Sequence, residues 1–188
     1  MEPRYKLKTA AVFEPVDIAA LKRNLHILDT NQDTYLQEIL SAVIEKVQNN
    51  IGRCIARATY TGYLDDFPDD DEDVIITLGP VAAISSIKYY DSDNALQTMD
   101  SGDYQLDNID LDARLRFSET YNVYENKMNA VEVEFTTGWT DAASVPKDLK
   151  DAIVWIASKR YLNPENSGKE IDLSPAENVL RNYRVQRF

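Results

Sequence analysis

The sequence predicts an α+β fold: a small helical bundle of three to four helices, with an antiparallel β insertion between the second and third helices. Three observations lead there. Apolar residues recur at three- and four-residue steps through 36–51 and again through 149–161, which is the period of one helix face. Between those stretches lie short runs rich in β-branched and aromatic residues, separated by turn chemistry. A chain of 188 residues with 44% hydrophobic content is long enough for one sizeable domain, or for a domain with a large insertion.

The elements follow in order. Residues 1–15 read as extended and end at Glu14-Pro15, since the residue before proline avoids the helical region. Val16 to Leu25 then predicts a short helix with Ile18, Leu21 and Leu25 on one side and Asp17 at its start. The polar connection LDTNQDT is short, so the first two helices should form a hairpin. The second helix runs from Asp33 to Gly52. Leu36, Ile39, Leu40, Val43, Ile44, Val47 and Ile51 share its buried face, Asn31 or Asp33 is expected to cap it, and Gly52 stops it in a left-handed conformation. Strands are expected over Cys54–Tyr63, Val74–Leu78, Ile84–Tyr90, Tyr104–Leu106, Ala113–Phe117 and Val131–Thr136, forming a small antiparallel sheet or sandwich. Alternation is clearest in VEVEF, with Val131, Val133 and Phe135 facing a core and Glu132 and Glu134 facing away. Val145-Pro146-Lys147-Asp148 announces a third helix, which ends at Asn163-Pro164. Its buried face is Leu149, Ile153, Ile156, Ala157 and Tyr161, with Ala152, Trp155 and Lys159 nearby. Ser174-Pro175-Ala176-Glu177 opens one more short helix that runs to about Tyr183. The expected domains are therefore 1–53, an N-terminal helical hairpin; 54–140, the β insertion; 141–164, the third bundle helix; and 165–188, a C-terminal arm.

Composition narrows the function. Twenty Lys plus Arg stand against 32 Asp plus Glu, a net charge of −12, so the average surface repels nucleic acid and anionic membrane. That argues against sequence-specific DNA binding. Cys54 is alone, which rules out an intramolecular disulfide; its expected role is a small apolar residue. The N-terminal stretch has no signal-peptide apolar region, and no run approaches the ~18 apolar residues of a membrane span. A protein made and kept in solution is expected.

Few residues invite a chemical role. Residues 65–73, DDFPDDDED, hold seven acids in nine positions. Consecutive acids point in different directions, so a solvated loop explains them better than a cation site. Asp29, Asn31 and Asp33 imitate the opening of a calcium loop, but Thr34 stands where that loop needs glycine and Leu40 where it needs an acid. His26, the only histidine, has no nucleophile motif near it. There is no phosphate-binding glycine loop, zinc spacing or dinucleotide fingerprint, so no catalytic, cofactor or metal residue is assigned. The C-terminus differs. Arg181, Arg184 and Arg187 interleave with Tyr183, Val185 and Phe188, a local reversal of sign suited to an acidic, partly apolar groove on a partner. The bland alternatives are a frayed tail whose arginines aid solubility, or one folded back on its own acidic surface.

The order of several short motifs resembles the tailed-phage head-tail connector family, also called adaptor or head-completion proteins. They are EPV-D-x-x-x-L-K (Glu14 to Lys22), a second helix ending at Ile51-Gly52-Arg53, L-G-P-V (Leu78 to Val81), D-Y-x-L around Tyr104 to Leu106, V-E-F-T-T-G-W (Val133 to Trp139), V-P-x-x-L-K-x-A-I (Val145 to Ile153) and the terminal Y-R-V-x-R-F. The resemblance covers nearly the whole chain and departs from the family in the acidic run at 65–73. It implies a structural, non-enzymatic homo-oligomer, usually a dodecameric ring, bound beneath the portal protein in the neck of the virion. A downstream neck or tail-completion protein is its other partner, DNA passes through without sequence-specific binding, and no cofactor is involved. The host cytoplasm is the expected place of assembly, and Arg181, Tyr183, Arg184, Val185, Arg187 and Phe188 are the expected portal-binding residues. The competing readings are another neck component, such as a tail-completion protein, and a hydrolase using two carboxylates.

Overall fold

Helix formation follows the apolar period closely. In the computed structural model, which describes residues 2–11, 13–69, 72–166 and 170–185, four α-helices form: α1 (Ile18–Leu25), α2 (Asp33–Ile51), α3 (Lys147–Leu162) and α4 (Glu177–Tyr183). All seven apolar positions read from the sequence of α2 are buried. They share one core with Leu21 of α1, Leu149, Ile153 and Ile156 of α3, and Leu180 of α4. Each fully buried leucine or isoleucine there stabilises the unit by about 1.5–3 kcal/mol relative to an exposed one. The hairpin of α1 and α2 is thus completed by α3 rather than closed on itself.

The helix ends show where local rules yield to contacts. Asp17 caps α1, its carboxylate accepting from the Ala19 N–H at 3.0 Å, and His26 closes the helix in the left-handed region with φ 56°. The expected cap of α2 by Asn31 or Asp33 is corrected. Gln32 holds the cap position without a capping bond, its side-chain oxygen accepting from the Tyr161 hydroxyl at 2.9 Å, while the Asp33 carboxylate accepts from Lys22 Nζ of α1 at 2.6 Å. A tertiary ion pair has taken the oxygen that a cap needs. Gly52 stops α2 as expected, at φ 72°, with its N–H bonded to the Gln48 carbonyl at 2.9 Å.

The strands are β1 (Arg4–Thr9), β2 (Ala58–Leu64), β3 (Val74–Ile76), β4 (Val81–Tyr90), β5 (Leu96–Thr98), β6 (Tyr104–Asp107), β7 (Ala113–Phe117) and β8 (Val131–Thr137). They form a five-stranded sheet, ordered β1-β2-β8-β4-β5, and a three-stranded sheet, ordered β3-β7-β6, with every pair antiparallel. Both sheets contribute to a second core, built from Ile87, Val133 and Phe135 of one and Val74, Ile76 and Leu115 of the other. Val131, Val133 and Phe135 are buried, in the alternation expected of VEVEF. Gly79 is required by close approach: a Cβ there would lie 1.6 Å from the Leu111 carbonyl oxygen.

The fold is α+β, but it is not a bundle with a simple insertion. β1 precedes the helices and pairs with β2, Arg4 opposite Tyr63 and Leu7 opposite Tyr60, so the N-terminal strand belongs with the sheets. The chain divides into two compact units, Met1–Val12 with Arg57–Gly138 and Phe13–Ala56 with Trp139–Phe188. The strand expected from Cys54 starts later, at Ala58. The Ile55 N–H donates to Gln48 Oε1 of α2 at 2.8 Å, and its carbonyl accepts from the Trp139 N–H at 3.0 Å, which ties 54–56 to the helical unit. Cys54 is buried, and its thiol donates to the Ala56 carbonyl at 3.0 Å.

Candidate functional site

The basic C-terminal segment is positioned by α4. A 3₁₀ turn over Ser174–Ala176, with proline at its start, leads into α4, and Ala176 and Leu180 bury themselves in the helical core. That burial orients the other face outwards and leaves Arg181 exposed. After Tyr183 the backbone turns extended at Arg184, with φ −66° and ψ 135°.

Residues 183–185 then lie against the end of α2. Tyr183 donates its hydroxyl to Asp148 Oδ1 at 2.8 Å, its carbonyl accepts from Arg53 Nε at 2.6 Å, and its ring meets Trp139 edge-on at 6.4 Å. Burial and the Asp148 carboxylate push the Tyr183 phenol well above its usual range, so it stays a donor at every physiological pH. Arg184 reaches Asn50 Oδ1 at 2.6 Å and pairs with Glu177 at 3.1 Å. The Val185 N–H donates to the Ile51 carbonyl at 2.9 Å, filling an acceptor that the end of α2 leaves open. Of the six residues picked out by charge and aromatic character, Tyr183, Arg184 and Val185 thus make contacts within the chain, and Arg181 faces solvent. Arg187 and Phe188 lie outside the described residues.

The other sequence candidates sit apart. His26 is exposed at the close of α1. Within 65–73, Asp65 pairs with Arg4 at 3.0 Å and Asp73 with Arg116 at 2.7 Å, the latter contact holding the Asp73 carboxyl below its ordinary range. Phe67 is buried between Phe117 and Tyr89, with ring centroids 5.2 and 5.5 Å away, and anchors that loop by an apolar contact. Asp70 and Asp71 lie outside the described residues. No group of three His, Cys, Asp or Glu side chains converges on a cation position among the described residues.

Sequence reasoning missed two exposed apolar features. Trp155, placed near the buried face of α3, is half exposed, and Leu28 in the α1–α2 connection is almost wholly exposed. The helical period carried the first signal, because Trp155 falls on the side of Asp148 and Asp151 rather than that of Ile153 and Ile156.

No family model matches the chain, and no curated protein matches it by sequence. Solved structures do resemble it. A chain in the neck of an empty gene transfer agent particle, computed with C6 symmetry, aligns with a TM-score of 0.78 at 15% identity, covering 98% of this chain and 97% of that one. A chain from the virion of a native gene transfer agent particle gives 0.78 at 16% identity, with 98% and 96% covered. A chain in the neck of the native particle, computed with C12 symmetry, gives 0.73 at 16% identity, with 98% and 97% covered. The shared fold therefore extends over both units.

Proposed function

We propose that this chain is a structural, non-catalytic head-tail connector in the neck of a tailed-phage-like particle. In this reading it forms a ring, of twelve copies, beneath the portal, extends the DNA channel and joins head to tail. The observation that carries the reading is the near end-to-end likeness to neck chains, both units included. Charge supports it independently. A tube through which DNA slides must not hold phosphates, and copies of a subunit with net charge −12 set up a field that repels them.

Attachment falls to the basic end of the chain. The contacts of Tyr183, Arg184 and Val185 fasten the segment to its own subunit as far as Val185. Arg181, Arg187 and Phe188 are then the side chains that meet an acidic, partly apolar groove on the portal, with the fastened residues as their base. Deleting 186–188 keeps every described contact of α4 and tests this directly: the shortened protein should fold as before and fail to bind purified portal.

The wider reading is tested by electron microscopy of particles with the protein labelled. A ring of this chain directly below the portal is the expected result. A ring at the tail end instead would favour a tail-completion protein, and absence from finished particles would remove the connector reading.

A further inference from the structure

Two apolar surfaces of the helical unit face solvent. One is a ridge on α3, where Trp155 is 50% exposed and Leu162 67% exposed. They are seven residues apart and share a side of the helix, and the exposed Asp151 lies one turn before Trp155. The other is an open groove of about 830 Å³ beside α1 and the start of α2, lined by Ile18, Ile27 and the 97% exposed Leu28. Two cations edge that groove. Lys22 is held by Asp33, whereas Arg23 is exposed and forms no ion pair among the described residues.

These surfaces lie on different flanks of α1. Asn24 donates to Ser158 Oγ of α3 at 2.7 Å, while Lys22, roughly 200° round the same helix, turns towards Asp33 of α2. A two-fold contact needs one patch that fits itself, whereas a head-to-tail contact needs two patches that fit each other. Ridge against ridge with parallel helices would oppose Asp151 to Asp151, and with antiparallel helices would set Trp155 against Leu162 and leave the groove at Ile27 and Leu28 unfilled. Ridge against groove opposes Asp151 to Arg23 and brings a large aromatic side chain to an apolar recess, the usual anchor of a subunit contact.

We propose that the occupant of the groove is a second copy of this chain. The Trp155–Leu162 ridge of one copy seats against Ile27 and Leu28 of the next, with Asp151 meeting Arg23, and repetition of this contact closes the ring. The proposal deepens the connector reading and rests on it.

The test is disulfide trapping in assembled particles carrying the full-length chain with both Arg23→Cys and Asp151→Cys. Both positions are exposed, and the native Cys54 is buried. Treatment with diamide should yield a ladder of covalent oligomers up to ring size that reductant collapses, and neither single variant should cross-link beyond wild type. Covalent dimers from Asp151→Cys alone would mean ridge on ridge and overturn the proposal. So would a double variant that stays monomeric on denaturing gels when microscopy of the same particles shows the ring and Trp155→Glu leaves ring occupancy unchanged. Particles that lack a ring of this chain would instead bring down the connector reading and the contact with it. Trp155→Glu guards against a geometric failure of the cysteines: ring occupancy should fall at least tenfold while circular dichroism of the subunit is unchanged, and undiminished occupancy would refute the contact.

Discussion

Gly52 is where the anchorage of the C-terminal segment is most open to measurement. At φ 72° it sits in the left-handed region, and a Cβ added there would lie 3.2 Å from Val185 Cγ2 and 3.6 Å from Val185 Cβ. Gly52→Ala therefore meets two separate penalties. The backbone term is about 1–2 kcal/mol for an L-residue held left-handed. The contact term is smaller, because Val185 must give by only a few tenths of an ångström. Its size can be isolated: Val185→Ala removes Cγ2 and leaves the 3.6 Å distance, an ordinary van der Waals contact. A double-mutant cycle by urea unfolding, following the helical signal, should give a cost of about 1.5–2.5 kcal/mol for Gly52→Ala in the wild-type background. In the Val185→Ala background that cost should fall by about 0.5 kcal/mol. Limited proteolysis of Gly52→Ala should also cut near 185 faster than in wild type. A neutral or stabilising Gly52→Ala would refute the backbone reasoning, and an equal cost in both backgrounds would refute the placement of Val185 against the end of α2.

Other outcomes follow from the same geometry. Leu40→Ala, wholly buried in the helical core, should cost about 2–5 kcal/mol and lower the unfolding midpoint of the helices. Tyr183→Phe removes the donor to Asp148 and should cost about 1 kcal/mol at neutral pH. A phenol raised by folding contributes fully below its unfolded value and loses that contribution only as pH climbs through the folded one. The deficit of Tyr183→Phe should therefore persist unchanged up to about pH 9 in thermal melts, a unit below the ordinary phenol value of 10.0. Asp172 runs the other way: the Lys159 ammonium, then the Ser174 N–H, lower its carboxyl from 3.8 to about 2. Its contribution is complete above the unfolded value and fades as pH falls through the folded one, so Asp172→Asn should flatten the acid dependence of the midpoint between pH 4 and 2. Thr137→Val strips the hydroxyl that donates to the Leu78 and Pro80 carbonyls and should cost about 1–3 kcal/mol in urea unfolding.

Much of this architecture was readable because burial imposes a period. α2, α3 and β8 each bury one continuous face, and their apolar spacing announces it. β5 was not readable: Leu96, Gln97 and Thr98 are all exposed, and the strand exists only through its pairing with Lys88–Tyr90 of β4. The partnership of β1 with β2 was hidden for another reason, since two helices separate them in the chain and no local rule spans that distance. Gln32 displaced the expected caps because Asp33 serves α1. The tail was legible in its charge pattern but not in its posture, which depends on Arg53, Asn50 and Asp148, residues remote in sequence. Trp155 shows the converse error, a bulky apolar side chain read as core when the structure turns it outwards.

The order in which the two cores become complete has a consequence for the newly made chain. The sheet unit has all its strands once Thr137 has been synthesised, but the apolar face of α2 must wait for α3, which starts nearly a hundred residues after α2 ends. At typical ribosomal speeds of 5–20 residues per second, that is an interval of roughly 5–20 s with Leu36, Leu40 and Val43 uncovered. Slowing translation within 55–145 should thus raise aggregation of the nascent protein, and supplying holdase chaperones should relieve it, without any change in the finished fold.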